Sequence, residues 1–98
     1  MNNQSDGQPA RIVTLTGANQ VISDPTIFMG ISVADEGTGS IKIHVYHGDS
    51  DDGHPIVSLH AQSGYGDQFW YGPNGILCPD GLYVKVYNGT PAGCVFVK

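Results

Sequence analysis

In Ser40-Ile41-Lys42-Ile43-His44-Val45-Tyr46-His47, apolar and polar side chains alternate without a break from Ser40 to Tyr46. Along an extended chain successive side chains point to opposite faces, so Ile41, Ile43 and Val45 share one face and Lys42, His44 and Tyr46 the other. A helix would scatter these two sets around its circumference. Strict alternation is the mark of a strand with one face buried and one face wet, the normal state of an antiparallel sheet.

The same period recurs on both sides. Upstream, Arg11–Thr16 sets Val13 and Leu15 on one face, and Gln20–Ser23 reads as a short second strand closed by the Asp24-Pro25 turn. Thr26–Ala34 sets Ile27, Met29, Ile31 and Val33 on one face, against Phe28, Gly30, Ser32 and Ala34. Downstream, Ile56–Gln62 aligns Val57, Leu59 and Ala61. Asp67–Tyr71 is aromatic and extended, Ile76–Cys78 is short and apolar, Gly81–Tyr87 aligns Leu82, Val84 and Val86, and Ala92–Lys98 aligns Val95 and Val97. Turn chemistry separates them. Pro73-Asn74-Gly75 and Pro79-Asp80-Gly81 each combine a preset proline φ with a glycine free to take positive φ, and Asn88-Gly89 is a hairpin signal. Gly is frequent at 14 of 98 residues, with 6 Pro, and no stretch holds a clean helical period. These signals predict about seven to nine strands at spacings near ten residues. The expected fold is all-β, a single antiparallel β-sandwich of jelly-roll or immunoglobulin-like kind over residues 11–98. Residues 1–10 are expected to form an extended arm that is flexible or ordered by a partner.

Composition narrows the function. Hydrophobic residues make up 40% of the chain, enough for a core, and 98 residues suffice for one domain. The four basic residues, Arg11, Lys42, Lys85 and Lys98, are scattered among nine acids, for a formal net charge of −5. A nucleic-acid binder needs a basic stripe to neutralise phosphates, and an anionic membrane would ask for the same. Neither partner is expected. Met1–Gln8 has no apolar segment of a leader, and no run approaches a membrane span, so synthesis in the cytoplasm is expected. In that reducing compartment Cys78 and Cys94 are expected as free thiols, with a disulfide between them as the alternative.

The chemistry-bearing residues give little sign of catalysis. His44 and His47 lie three apart on one strand and so face opposite ways; His44 and His60 fall on outward faces and can be neighbours, read as solvated polar residues. The loop Gly48-Asp49-Ser50-Asp51-Asp52-Gly53-His54 has acids but not the spacing of a calcium loop, since its sixth and twelfth places counted from Asp49 are His54 and His60. It reads as a solvated acidic turn. No nucleophile sits beside a base and an orienting group in a recognisable motif. No enzyme activity, metal or cofactor is expected. The informative feature is the aromatics left over once the core is filled. Phe28, Tyr46, Tyr83, Tyr87 and Phe96 fall on the faces opposite the apolar rows, and of the consecutive Phe69, Trp70 and Tyr71 at least one must point outward. Low charge, 13% of residues, beside surface aromatics suits a protein–protein interface. These eight residues are the candidate contact surface.

Gly75-Ile76-Leu77-Cys78-Pro79-Asp80-Gly81-Leu82-Tyr83-Val84-Lys85-Val86-Tyr87-Asn88-Gly89-Thr90, following the strand Ile41–Tyr46 and Gly48, resembles the small β-sandwich structural proteins of tailed-bacteriophage virions. The likeness covers roughly residues 26–98 and rests on structural motifs. This chain departs from it in the aspartate-rich loop and the two cysteines. The resemblance implies a structural virion role: a capsid decoration (cement) protein, or a module of a neck, tail or fibre. It also implies a homo-oligomer, a trimer by preference, seated on the major capsid protein or another virion protein, with no catalytic residues. The alternative reading is a carbohydrate- or host-binding module in which Trp70, Tyr71 or Tyr83 stacks on sugar rings.

Overall fold

The computed structural model describes residues 9–22, 26–37 and 39–98. The arm up to Gln8 and the Asp24-Pro25 turn lie outside the described residues, which begin with Pro9 and Ala10, both exposed. The described residues form nine strands: β1 (Arg11–Thr14), β2 (Gln20–Ile22), β3 (Thr26–Asp35), β4 (Ile41–His47), β5 (Val57–Ala61), β6 (Gly66–Trp70), β7 (Ile76–Cys78), β8 (Leu82–Asn88) and β9 (Pro91–Val97). They contain no helix. All pairings are antiparallel. One sheet runs β1-β9-β3-β6, with β7 also bonded to β3; the other runs β2-β8-β4-β5. The two pack face to face as a β-sandwich, as the alternation predicts.

The inward rows meet in one core. Ile31, Val33, Val95 and Val97 from the first sheet face Ile41, Ile43, Val45, Leu59, Leu82 and Val84 from the second, and all are essentially shut off from water. Leu15, just past β1, and Ala61 close the margins. The glycines at the predicted turns take the positive φ that those turns need: 64° at Gly75 and 88° at Gly81.

Two features of the sequence reading need correction. The first is the phase of β3. Phe28 pairs with Val97 and Gly30 with Phe96, so two steps on β3 oppose one on β9, and Met29 is the extra residue of a β-bulge. A one-residue slip exchanges the two faces of a strand. Upstream of the bulge, Thr26 and Phe28 therefore face inward, whereas Ile27 pairs with Leu77 on the outside. Downstream, Ile31 and Val33 face inward as the alternation has them. Met29 is buried, and its carbonyl accepts the Tyr71 N–H at 2.8 Å. Phe28, expected outside, is 0% exposed, a core side chain with the Tyr71 ring edge-on at 5.9 Å.

The second is Asn88-Gly89. It does not close a hairpin: β8 belongs to one sheet and β9 to the other, so the turn carries the chain across the sandwich. Gly89, at φ 85°, lies so close to the Ser40 carbonyl that a Cβ would collide with it. The glycine serves a close approach between chain segments as well as a turn. Among the described strands, β4 and β5 are the chain neighbours that bond to each other.

Phe28→Ala is expected to destabilise the isolated chain by about 3–5 kcal/mol through cavity formation. Chemical denaturation at several protein concentrations checks it; a core side chain gives the same loss at each.

Candidate functional site

With the core filled, each sheet presents an outer face, and the register fixes the composition of each. On the first sheet Ile12, Phe96, Gly30 and Trp70 stand in one row across β1, β9, β3 and β6. Thr14, Cys94, Ser32 and Gln68 form the next row, and Ala92, Ala34 and Gly66 the third. None of these positions carries a charge. Ile12 is 65% exposed and Trp70 56%. Past the bulge, Ile27 and Leu77 continue the face, and Leu77 too is well exposed. Lys98 follows at the corner, where Nζ donates to the Pro73 carbonyl at 3.4 Å.

Gly30 shapes this surface. A Cβ there would stand 2.5 Å from the Phe69 carbonyl oxygen and 2.8 Å from Trp70 Cε3. The missing side chain lets the indole lie across the neighbouring strand, where it meets Phe96 edge-on at 6.2 Å. An aromatic covering a strand glycine recovers packing that the glycine gives up. The result is a neutral face with an aromatic and aliphatic ridge beside small residues.

The edges of the sheets are guarded. The edge strands β1 and β2 are only four and three residues long. Between the edge strands β5 and β6, Asp67 Oδ2 accepts the His60 N–H at 3.2 Å. A carboxylate placed this way spoils the edge as a template for another strand. Contact through a face is therefore better supported than contact through an edge.

The outer face of the second sheet has another character. It carries Lys42, His44 and Tyr46 from β4, His60 from β5, and Tyr83, Lys85 and Tyr87 from β8. Tyr87 is the extra residue of a second bulge, between the pairs Lys42–Asn88 and Ile43–Val86. Its ring lies beneath two ammonium groups, Lys42 Nζ at 5.5 Å and Lys85 Nζ at 5.1 Å from its centre, within cation–π range. The His44 ring packs edge-on against it at 4.7 Å. Hydrogen bonds link His44 Nδ1 to the Tyr46 hydroxyl (3.1 Å) and that hydroxyl to Tyr87 (2.8 Å). The neighbouring phenol, with burial, pushes Tyr46 up to about 12. Burial, then the charge on Lys42 and the presence of His60, hold His44 below the ordinary histidine value.

The candidate contact residues thus separate. Phe28 and Phe69 face the core: Phe69 pairs with the inward Ile31 and packs on the core cluster. Trp70 and Phe96 lie on the neutral face, and Tyr71 is partly exposed at the end of β6. Tyr46, Tyr83 and Tyr87 lie together on the opposite face, but Tyr46 is only 4% exposed because its neighbours cover it. Ile12, Leu77 and Cys94 belong to the neutral face although no sequence signal marks them; only cross-strand pairing brings them there. Of the acidic loop, Asp51 pairs with Lys85, which holds the Asp51 carboxyl below its usual range. His47 turns away from His44, and its Nε2 accepts the Asp80 N–H at 3.3 Å. Cys78 is buried, Cys94 half-buried, and both are free thiols. No family model, curated protein or solved structure matches the chain.

His44 sets a pH dependence. Its folded value lies below the unfolded 6.5, so between the two the unfolded chain binds more protons. The stability that neutral His44 contributes is complete above 6.5 and is lost as pH falls toward the folded value. Denaturation midpoints taken on either side of 6.5 are expected to drop on the acid side, with a smaller drop in His44→Gln.

Proposed function

We propose that the protein is a structural virion protein, a decoration (cement) protein that binds the outside of a phage capsid and stabilises it. It is made in the host cytoplasm and acts without catalysis. The observation that carries this reading is the neutral outer face of the first sheet, a four-strand surface without a formal charge on a chain of net charge −5. Interface cores are depleted of charge and enriched in aromatic residues. A neutral face strands no unpaired charge when covered, whereas burying one costs several kcal/mol. Ile12, Phe96 and Trp70 supply the anchors. The assembly proposed is a homotrimer, with this face shared between subunit contact and the major capsid protein. The resemblance over residues 26–98 supports the virion setting.

A second reading, a carbohydrate- or host-binding module of a neck, tail or fibre, draws on the exposure of Trp70. Because Trp70 is the sole tryptophan, its fluorescence reports on this directly.

Co-sedimentation with capsids assembled from the major capsid protein of the same genome tests the first reading, with light scattering for the mass in solution. A trimer and saturable capsid binding are expected. Ile12→Glu is expected to weaken capsid binding at least about tenfold with the fold intact. Absence of capsid binding by the unaltered chain overturns the reading. Saccharide-dependent quenching of Trp70 without capsid binding favours the second.

A further inference from the structure

The outer face of the second sheet bears a cation in an unusual position for so acidic a chain. Lys85 is answered by Asp51, but among the described residues Lys42 has no carboxylate within ion-pair distance. Lys42 stands directly opposite His60 across the β4–β5 ladder. Beside this pair, the ends of β4, β5 and β8 leave an open depression of about 620 Å³. That volume falls within the range of small-molecule sites, about 300–1,000 Å³. Its polar lining consists of Lys42, His60, Gln62, Ser40 and Asn88 over Ile41, with no carboxylate. Asn88 Nδ2 donates to the Ser40 carbonyl (2.9 Å) and to Ser40 Oγ (3.2 Å), which leaves the Asn88 side-chain oxygen as an acceptor.

This chemistry selects a ligand class. One ammonium without a carboxylate partner, beside an imidazole, suits a single carboxylate. An amide, a hydroxyl and a free carbonyl oxygen suit several ligand hydroxyls, as donors and acceptors both. An amino acid would bring an ammonium group toward Lys42 with no acid in the lining to receive it. A phosphodiester chain would ask for a row of cations that the face lacks.

We propose that this depression binds a monocarboxylated saccharide, with Lys42 and His60 on the carboxylate and Gln62, Ser40 and Asn88 on the hydroxyls. The site lies on the sheet opposite the neutral face and does not depend on the docking role. Bound there, a sugar leaves Trp70 untouched.

The test is a titration of the full chain followed by backbone amide NMR shifts. Sialyllactose and glucuronate are the acidic probes, lactose the neutral sugar and acetate the simple anion. Saturable millimolar shifts confined to residues 40–42, 60–62 and 88 are expected with an acidic probe, with lactose and acetate at least about tenfold weaker. Lys42→Met, which keeps the aliphatic stem, is expected to lose about tenfold while its spectrum stays dispersed. Gln62→Ala is expected to weaken the acidic sugar and not acetate. No saturable shift with either acidic probe overturns the proposal, as does lactose or acetate binding as tightly, or unchanged affinity in Lys42→Met. Capsid binding and mass in solution test the docking role separately.

Discussion

Ile31, Val33, Val95 and Val97 on one sheet and Ile43, Val45, Leu82 and Val84 on the other exclude water from each other, and each set is buried by its counterpart. A sheet with one apolar face is unstable in water until that face is covered, so neither layer persists without the other. Each side chain of this size, fully buried, contributes about 1.5–3 kcal/mol of transfer free energy. Most of that is offset by the entropy of ordering the chain. Hence the core tolerates little loss, and features that keep apolar residues in phase matter more than their number suggests.

The bulges at Met29 and Tyr87 are such features. β3 is ten residues long and pairs with three partners, β9, β6 and β7. Without the extra residue at Met29, Phe28 would stand in water and Ile27 in the core. With it, the phenyl ring fills the core and Ile27 joins the outer face beside Leu77. At Tyr87 the extra residue sits beneath Lys42 and Lys85, on the opposite face to Val86. In both places the irregularity of the ladder sets the composition of a surface as well as the packing of the core.

The two outer faces divide the chemistry of the chain between them. One is neutral, with Ile12, Phe96 and Trp70 above small residues. The other gathers two of the four lysines and arginines around a hydrogen-bonded group of tyrosines and His44. For a chain of net charge −5, copies repel at a distance, and close contact is least costly where no charge is buried. The cationic, aromatic face instead offers local attraction for a small anion. A sandwich can hold both surfaces because the strand period sends alternate residues to the core and leaves the remainder free to differ.

Much of this was legible in the chain. Alternation through Ile41–Tyr46, Val57–Ala61, Leu82–Val86 and Val95–Val97 marks strands and identifies their inward residues, since a period of two survives in linear order. Turn glycines mark where positive φ is needed. Phe28 and Ile27 were not legible, because a bulge is a relation between two strands and leaves no trace in the period of one. Asn88-Gly89 specifies a reversal, but not whether the next strand joins the same sheet. The neutral face and the depression at Lys42 were hidden for the same reason. Ile12, Gly30, Trp70 and Phe96 become neighbours through pairing of β1, β9, β3 and β6, and Lys42 meets His60 through the register of β4 on β5. Local sequence thus set which residues alternate and where the chain turns, because those preferences act within a few bonds. The faces and their chemistry came from pairing across the chain, where burial of the whole core selects the register.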